Sequence, residues 1–231
     1  FLPMIGFLLC ALISTAFSKS PSFSFYNFLL LPCTYAVLYM LTVPYIRTEN
    51  EEKILLCCFF TGAICVAAYG FYQYTRPEDI AAWVDPERFP LLRRRMYSTL
   101  ENPNLLSSYM LMASGMLGSF MLMERQRLRK LLLAVCFCVF LVCILLTYSR
   151  GAWVSLAVMV MIAALAYDRR IALSFLLLPI MLLFYHGQIT ERFLSLFAGY
   201  DTSTELRLAL IESTVAMIGD HPLTGVGRGA Y

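Results

Sequence analysis

Residues 131–149 read LLLAVCFCVFLVCILLTYS and residues 151–167 read GAWVSLAVMVMIAALAY, with the single charge of Arg150 between them. Both runs are continuously apolar, without the alternation of a half-buried strand. A helix needs roughly 20 apolar residues to cross a bilayer, so each run has about the length of a membrane-spanning helix. The pattern repeats along the chain. Residues 1–18, 20–46, 54–75, 102–123 and 171–190 also lack Asp, Glu, Lys and Arg. Of the 231 residues 60% are hydrophobic and 14% charged, against about 25% charged in an ordinary soluble domain, and the mean hydropathy is +0.70. The expected fold class is all-α, a polytopic transmembrane helical bundle with an outer-face interfacial helix. A soluble enzyme, a nucleic-acid-binding module and a transmembrane β-barrel are excluded, the last because its strands would alternate. Membrane lipids are therefore expected partners and nucleic acid is not.

The expected organisation is a seven-helix transmembrane region over residues 1–190, part of a larger bundle, and the start of a periplasmic loop with an amphipathic helix over 191–231. Phe1 and Tyr231, the latter inside a Gly-rich turn, read as the ends of a piece of a longer chain. No basic stretch precedes the first run, which argues against a signal peptide. The connections alternate in character. Segments 47–53, 124–130 and 168–170 are short and hold eight of the 18 Lys and Arg, the mark of cytoplasmic loops. That puts 19–26, 74–103, the 148–152 corner and 187–231 on the outer face.

The outer face is then unexpectedly basic. It carries Arg76, Arg88, Arg93, Arg94, Arg95, Arg150, Arg192, Arg207, Arg228 and Lys19, and arginine outnumbers lysine 15 to 3 in the chain. Guanidinium groups pair bidentately with phosphate or carboxylate. The plainer reading is that Glu78, Asp79, Asp85, Glu87 and Glu101 neutralise their own loop. It does not extend to Arg150, which has no acid near it in sequence. Three helix starts sharpen the signal: Asn102-Pro103-Asn104 reads as an N-cap with Pro at the first helical position, Ser149 as the cap of a helix beginning at Arg150-Gly151, and Thr202-Ser203-Thr204-Glu205 as a capping box. Helix N-termini attract anions, so arginines and helix starts on one face point to an anionic substrate.

In 205–219 (ELRLALIESTVAMIG), Leu208, Ile211, Val215 and Ile218 share a face, which reads as an interfacial amphipathic helix or, alternatively, a core-packed one. His221-Pro222 ends it, and Gly225, Gly227 and Gly229 form a turn without the strand that a dinucleotide fingerprint requires. His186 reads as an interfacial polar tip. His221 lacks a partner in sequence to orient it as a base. The eight cysteines all fall in apolar runs, with no zinc-type spacing and no disulfide framework.

Three blocks carry a family resemblance. Arg95-Met96-Tyr97-Ser98-Thr99-Leu100-Glu101-Asn102-Pro103-Asn104 resembles the "R-x-x-S-T-x-x-N-P-N" helix entry of the O-antigen ligase and O-antigen polymerase superfamily of bacterial membrane glycosyltransferases. Thr147-Tyr148-Ser149-Arg150-Gly151-Ala152-Trp153 is similar to its "T-x-S-R-G" corner. Arg207 through Asp220-His221-Pro222-Leu223-Thr224-Gly225-Val226-Gly227 resembles its "R … h-P-l-x-G-v-G" block. Tyr69-Gly70-Phe71-Tyr72-Gln73-Tyr74 is a fainter fourth match. The resemblance covers about residues 69–231. It implies an enzyme of the bacterial inner (cytoplasmic) membrane that takes a glycan from undecaprenyl diphosphate at the periplasmic face. A ligase passes the glycan to a sugar of the lipid A core, a polymerase to a growing polysaccharide. It implies no metal and no other cofactor. It also implies that Arg95, Arg150 and Arg207 hold the substrate diphosphate, with Asn102, Asn104, Ser149 and Gly151 in support. The family's acceptor-activating histidine would lie beyond Tyr231, so no catalytic residue is assigned here, His221 is not promoted in its place, and residues 1–231 alone are expected to be inactive.

Two other classes stand beside this one. Some members of the superfamily are described as bicarbonate transporters. A transporter buries ionisable residues at mid-membrane in broken helices, and the seven runs hold no Asp, Glu, Lys or Arg. A non-catalytic polysaccharide-assembly protein would differ in lacking the acceptor-activating histidine.

Overall fold

The computed structural model describes residues 1–76, 94–169, 171 and 202–227, of 202–205 the backbone only. Its elements are α1 (Leu2–Ala16), α2 (Pro21–Phe28), a π-helical turn (Leu29–Cys33), α3 (Thr34–Thr42), α4 (Glu49–Thr75), a 3₁₀ turn (Ser98–Leu100), α5 (Pro103–Met123), α6 (Arg127–Leu146), α7 (Arg150–Ala166) and α8 (Thr202–Asp220). No strand occurs among the described residues, and the class is all-α, as expected. Six of the seven charge-free runs carry helices; of the seventh, 171–190, only Ile171 is among the described residues. Four described helices are long and apolar enough to cross a membrane: Pro21–Thr42 (α2 through α3), α4, α5 and α6. The apolar helices α1 and α7 are shorter.

Helix boundaries follow local chemistry. α4 starts five residues before its apolar run because Thr48-Glu49-Asn50-Glu51 is a capping box: Glu51 Oε2 accepts from the backbone N–H of Arg47 and Thr48, each at 2.9 Å, and Thr48 Oγ1 accepts from Glu51 N at 3.4 Å. Pro32 sits inside the π-helical turn of the second span. Proline lacks an N–H and clashes with the carbonyl four residues back, and the wider turn absorbs both defects without ending the helix. Hydroxyls within the apolar helices donate back along their own backbone, Thr15 to Ala11 O at 2.8 Å, Thr61 to Cys57 O at 2.7 Å and Ser114 to Met110 O at 2.7 Å. Polar groups in hydrocarbon must be satisfied internally, and these are.

The chain divides into two compact units. The first comprises Phe1–Leu55 and Tyr200–Tyr231. In it α1 and α2–α3 form a hairpin, with the Phe1 and Tyr39 rings 5.8 Å apart at its open end. At the closed end Ser18 Oγ and Ser24 Oγ are 2.7 Å apart and buried. The turn after α8 lies against these serines: a Cβ on Gly227 would collide with Ser18 and come within 2.8 Å of Ser24 Oγ. His221 does end α8, its N–H donating to Met217 O and its carbonyl accepting from Gly225 N, both at 3.0 Å. Leu208, Ile211, Val215 and Ile218 on α8 are all exposed. The apolar side chains are not confined to that stripe, since Leu206 and Leu210 are exposed on the opposite side.

The second unit comprises Leu56–Gly199. Its core is built on small residues that let helix backbones approach closely. Ala63, Ala67 and Gly70 line the buried side of α4. On α5, Gly118 faces the Phe137 ring of α6 and Gly115 faces Met159 Sδ of α7. Phe140, Ile144, Leu106 and Met110 fill the centre. Val154, Val158, Met161, Ile162 and Leu165 of α7 share one exposed face, the expected surface of a helix set against lipid.

Candidate functional site

Residues 94–101 cross one end of the second unit as a strap with Met96 and Ser98 buried beneath it. Met96 N donates to Leu146 O at 2.9 Å, at the end of α6. Ser98 N donates to Gln73 Oε1 at 2.8 Å and Ser98 Oγ to Val66 O at 2.6 Å, both on α4. Gly70 leaves room for the crossing: a Cβ there would stand 3.0 Å from Met96 Sδ and 3.3 Å from Ser98 Cβ. The last turn of α4, the strap, the start of α5 and the α6–α7 corner therefore share one end of the unit. Arg76, Arg94, Arg95 and Arg150 are all at that end. Arg94 donates to the Tyr74 carbonyl and lies over its ring, 5.3 Å from the centroid; Arg76 lies 4.8 Å from the Tyr72 centroid and donates to its hydroxyl.

The α6–α7 corner is Thr147-Tyr148-Ser149-Arg150. Thr147 closes α6, with Oγ1 donating to Ile144 O at 2.7 Å. Tyr148 then adopts φ +51°, and α7 begins as Trp153 N donates to Ser149 O at 3.2 Å. A left-handed non-glycine residue costs about 1–2 kcal/mol, and such residues persist only where the surroundings determine them. Tyr148 is buried, with its hydroxyl 3.4 Å from that of Tyr74. The other left-handed non-glycine residues among those described, Ser98 and Glu101, stand on the same end of the unit.

Each expected site residue has a definite place. Asn102 is the N-cap of α5, its Oδ1 accepting from Asn104 N at 2.8 Å and Leu105 N at 3.4 Å, with Pro103 the first helical residue, as the sequence reading has it. Ser149 occupies the N-cap position of α7, but its hydroxyl makes no cap bond; it lies 3.0 Å from Asn104 Oδ1. A partner on a neighbouring helix has outcompeted the local one. Arg95 is half-buried and works partly as a cross-link: Nε donates to Thr147 O at 2.7 Å and Nη2 to Asn104 Oδ1 at 3.3 Å. Arg150 is half-buried and is the first residue of α7. Gly151 is exposed, and a Cβ there would meet nothing within 4 Å. The structure thus brings together Arg95, Asn104 and Ser149, with Arg150 next in the chain. Arg207 is exposed on α8, in the other unit. Side chains of the 202–205 capping motif, and Arg88, Arg93, His186, Arg192 and Arg228, lie outside the described residues. No group of three or more His, Cys, Asp or Glu side chains comes together among the described residues.

Sequence reading missed the strap's own anchors, Met96, Ser98 and Gln73, and the Tyr74–Tyr148 pair. Gly70, Gln73 and Tyr74 all belong to the faint 69–74 block, and Met96 and Ser98 pack on Gly70 while Gln73 accepts from Ser98 N.

An all-α chain of several apolar helices, with arginines and strained turns gathered at one end of its second unit, is a multi-pass membrane protein with a polar site at the helix ends. Residues 134–231 match the family model described as O-antigen ligase, and this supports the chain's place in the O-antigen ligase and polymerase superfamily. The matched stretch includes most of α6, all of α7 and α8, and the glycine turn. The 95–104 block lies ahead of it. No curated protein and no solved structure matches the chain.

Proposed function

We propose that this protein transfers a glycan from undecaprenyl diphosphate to a sugar acceptor at the periplasmic face of the bacterial inner membrane, without a metal ion. The observation that carries the reading is the convergence of Arg95, Asn104 and Ser149 beside Arg150 at one end of a helical bundle whose α6 and α7 fall within the O-antigen ligase match. A departing lipid diphosphate gains negative charge, and fixed cations placed at that charge lower the barrier. A site at helix ends is reachable from the membrane plane, as a lipid donor requires. Arg150 binds the diphosphate directly. Arg95 binds it from one edge while holding the corner in place. Asn102, Ser149 and Gly151 shape the approach. The acceptor is a lipid A core sugar or a growing polysaccharide, and its activating base is not assigned to a described residue. Glycolipid isolated from a deletion strain tests the function: missing attachment indicates a ligase, single repeat units a polymerase, and unchanged glycolipid overturns the reading.

Gly151 offers a sharper test. Glycine in a helix costs about 0.5–1 kcal/mol relative to alanine, and neither packing nor backbone conformation requires it here. Gly151→Ala is therefore expected to leave thermal stability equal or slightly raised, while lowering transfer at least several-fold because the methyl group occupies the approach of the substrate. Unchanged transfer would remove Gly151 from the site.

The orientation follows from the charge bias of the short loops, with 47–53, 124–130 and 168–170 cytoplasmic. The strap and the α6–α7 corner are then periplasmic. Thr99 is exposed on the strap. In a cysteine-free background, Thr99→Cys is expected to react with an impermeant maleimide added to intact spheroplasts. Reaction only after permeabilisation would invert the topology.

A further inference from the structure

We propose that Asn104 is a ligand-contacting residue, its side-chain amide N–H groups donating to the phosphate oxygens of the bound lipid diphosphate. The proposal rests on the function proposed above and adds a neutral, directional donor to the arginines. Arg95 settles the orientation of the amide. A guanidinium only donates, so the atom 3.3 Å from Arg95 Nη2 is the carbonyl oxygen Oδ1. The same oxygen lies 3.0 Å from Ser149 Oγ, on the corner that carries Arg150. Oδ1 thereby accepts two hydrogen bonds, and neither involves the amide nitrogen.

The residue is exposed, and no contact among the described residues takes its amide N–H groups. Its backbone is held as well: N donates to Asn102 Oδ1 at 2.8 Å, and its carbonyl accepts from Ser107 Oγ and Ser108 Oγ, each at 2.9 Å. An amide whose oxygen is engaged by a guanidinium is polarised toward stronger donation. Fixed next to the Ser149–Arg150 step, it offers donors and no acceptor, which suits an oxygen-rich anion and not a sugar hydroxyl seeking an acceptor.

Asn104→Asp separates contact from scaffold. The aspartate keeps an oxygen for Arg95 and Ser149 and loses the N–H donors. Full-length protein in nanodiscs is titrated with undecaprenyl diphosphate, and thermal midpoints are recorded alongside. Asn104→Asp is expected to bind at least tenfold more weakly than wild type with an unchanged midpoint, and the ratio to persist at 1 M salt, where repulsion by an exposed carboxylate is screened. Asn104→Ala is expected to lose both binding and midpoint. Wild-type binding by Asn104→Asp, or a deficit that vanishes at 1 M salt, overturns the proposal. If Arg150→Ala loses binding while Asn104→Asp keeps it, the inference falls and the proposed function stands. If both bind as wild type, the proposed site itself falls.

Discussion

Arg150→Ala is expected to lower glycan transfer by about 10²–10³-fold, the range seen when one preorganised donor to a developing anion is removed, with expression and membrane insertion intact. Arg150 opens α7 directly after the left-handed Tyr148 and the buried Ser149. That corner is held on three sides, by Thr147 O to Arg95, by Ser149 to Asn104 and by Tyr148 against Tyr74. These contacts are made by Thr147, Ser149 and Tyr148, so Arg150→Ala leaves them in place. The open space at Gly151 lies immediately beside it. Arg150→Lys is expected to fail nearly as badly, because lysine keeps the charge and loses the planar fork that pairs bidentately with phosphate. Transfer is measured in cells expressing each variant at matched membrane levels. Full activity of the lysine variant would reduce the role to bulk charge, and full activity of the alanine variant would take Arg150 out of the site.

The second large effect is expected at Gly227→Ala. Gly227 has φ +87°, where a side chain is strained, and its Cβ would be driven into Ser18 beside the buried Ser18–Ser24 hydroxyl pair. Ser18 Oγ also accepts from Ser20 N at 3.1 Å, so displacing Ser18 disturbs the α1–α2 turn as well. The backbone strain alone costs about 1–2 kcal/mol, and the steric conflict adds to it, so a loss of roughly 2–4 kcal/mol is expected, at the upper end of what single substitutions ordinarily cost. Thermal unfolding in nanodiscs reads it as a lowered midpoint. Gly151→Ala is the matched control, since the same methyl group there meets open space. Equal midpoints for the two variants would contradict the docking of the glycine turn on the first hairpin.

These expectations draw unequally on sequence and structure. Helices were legible because hydrocarbon imposes a long-range compositional rule: run 102–123 became α5 at Pro103–Met123, with the Asn102 cap where the local pattern put it. α6 begins at Arg127, four residues ahead of its apolar run, because arginine and lysine are good helix formers and continue the helix out of the membrane. Local rules failed where a distant partner won. Ser149 carries the signature of an N-cap, yet its hydroxyl goes to Asn104, 45 residues away. Arg95 reads as a substrate arginine, yet part of its guanidinium binds Thr147 O, 52 residues away. Neither pairing has any trace in the residues adjacent to it. Arg207, which the motif groups with the other two arginines, belongs to the first compact unit.

In the proposed function the end of the second unit binds a lipid diphosphate through Arg150. The most direct measurement is equilibrium binding of undecaprenyl diphosphate to the full-length protein in nanodiscs, with undecaprenol as the uncharged reference. The diphosphate is expected to bind at least tenfold more tightly than the alcohol, and Arg150→Ala to abolish the difference. Equal binding of the two lipids by wild type, or an undiminished preference in Arg150→Ala, would contradict it.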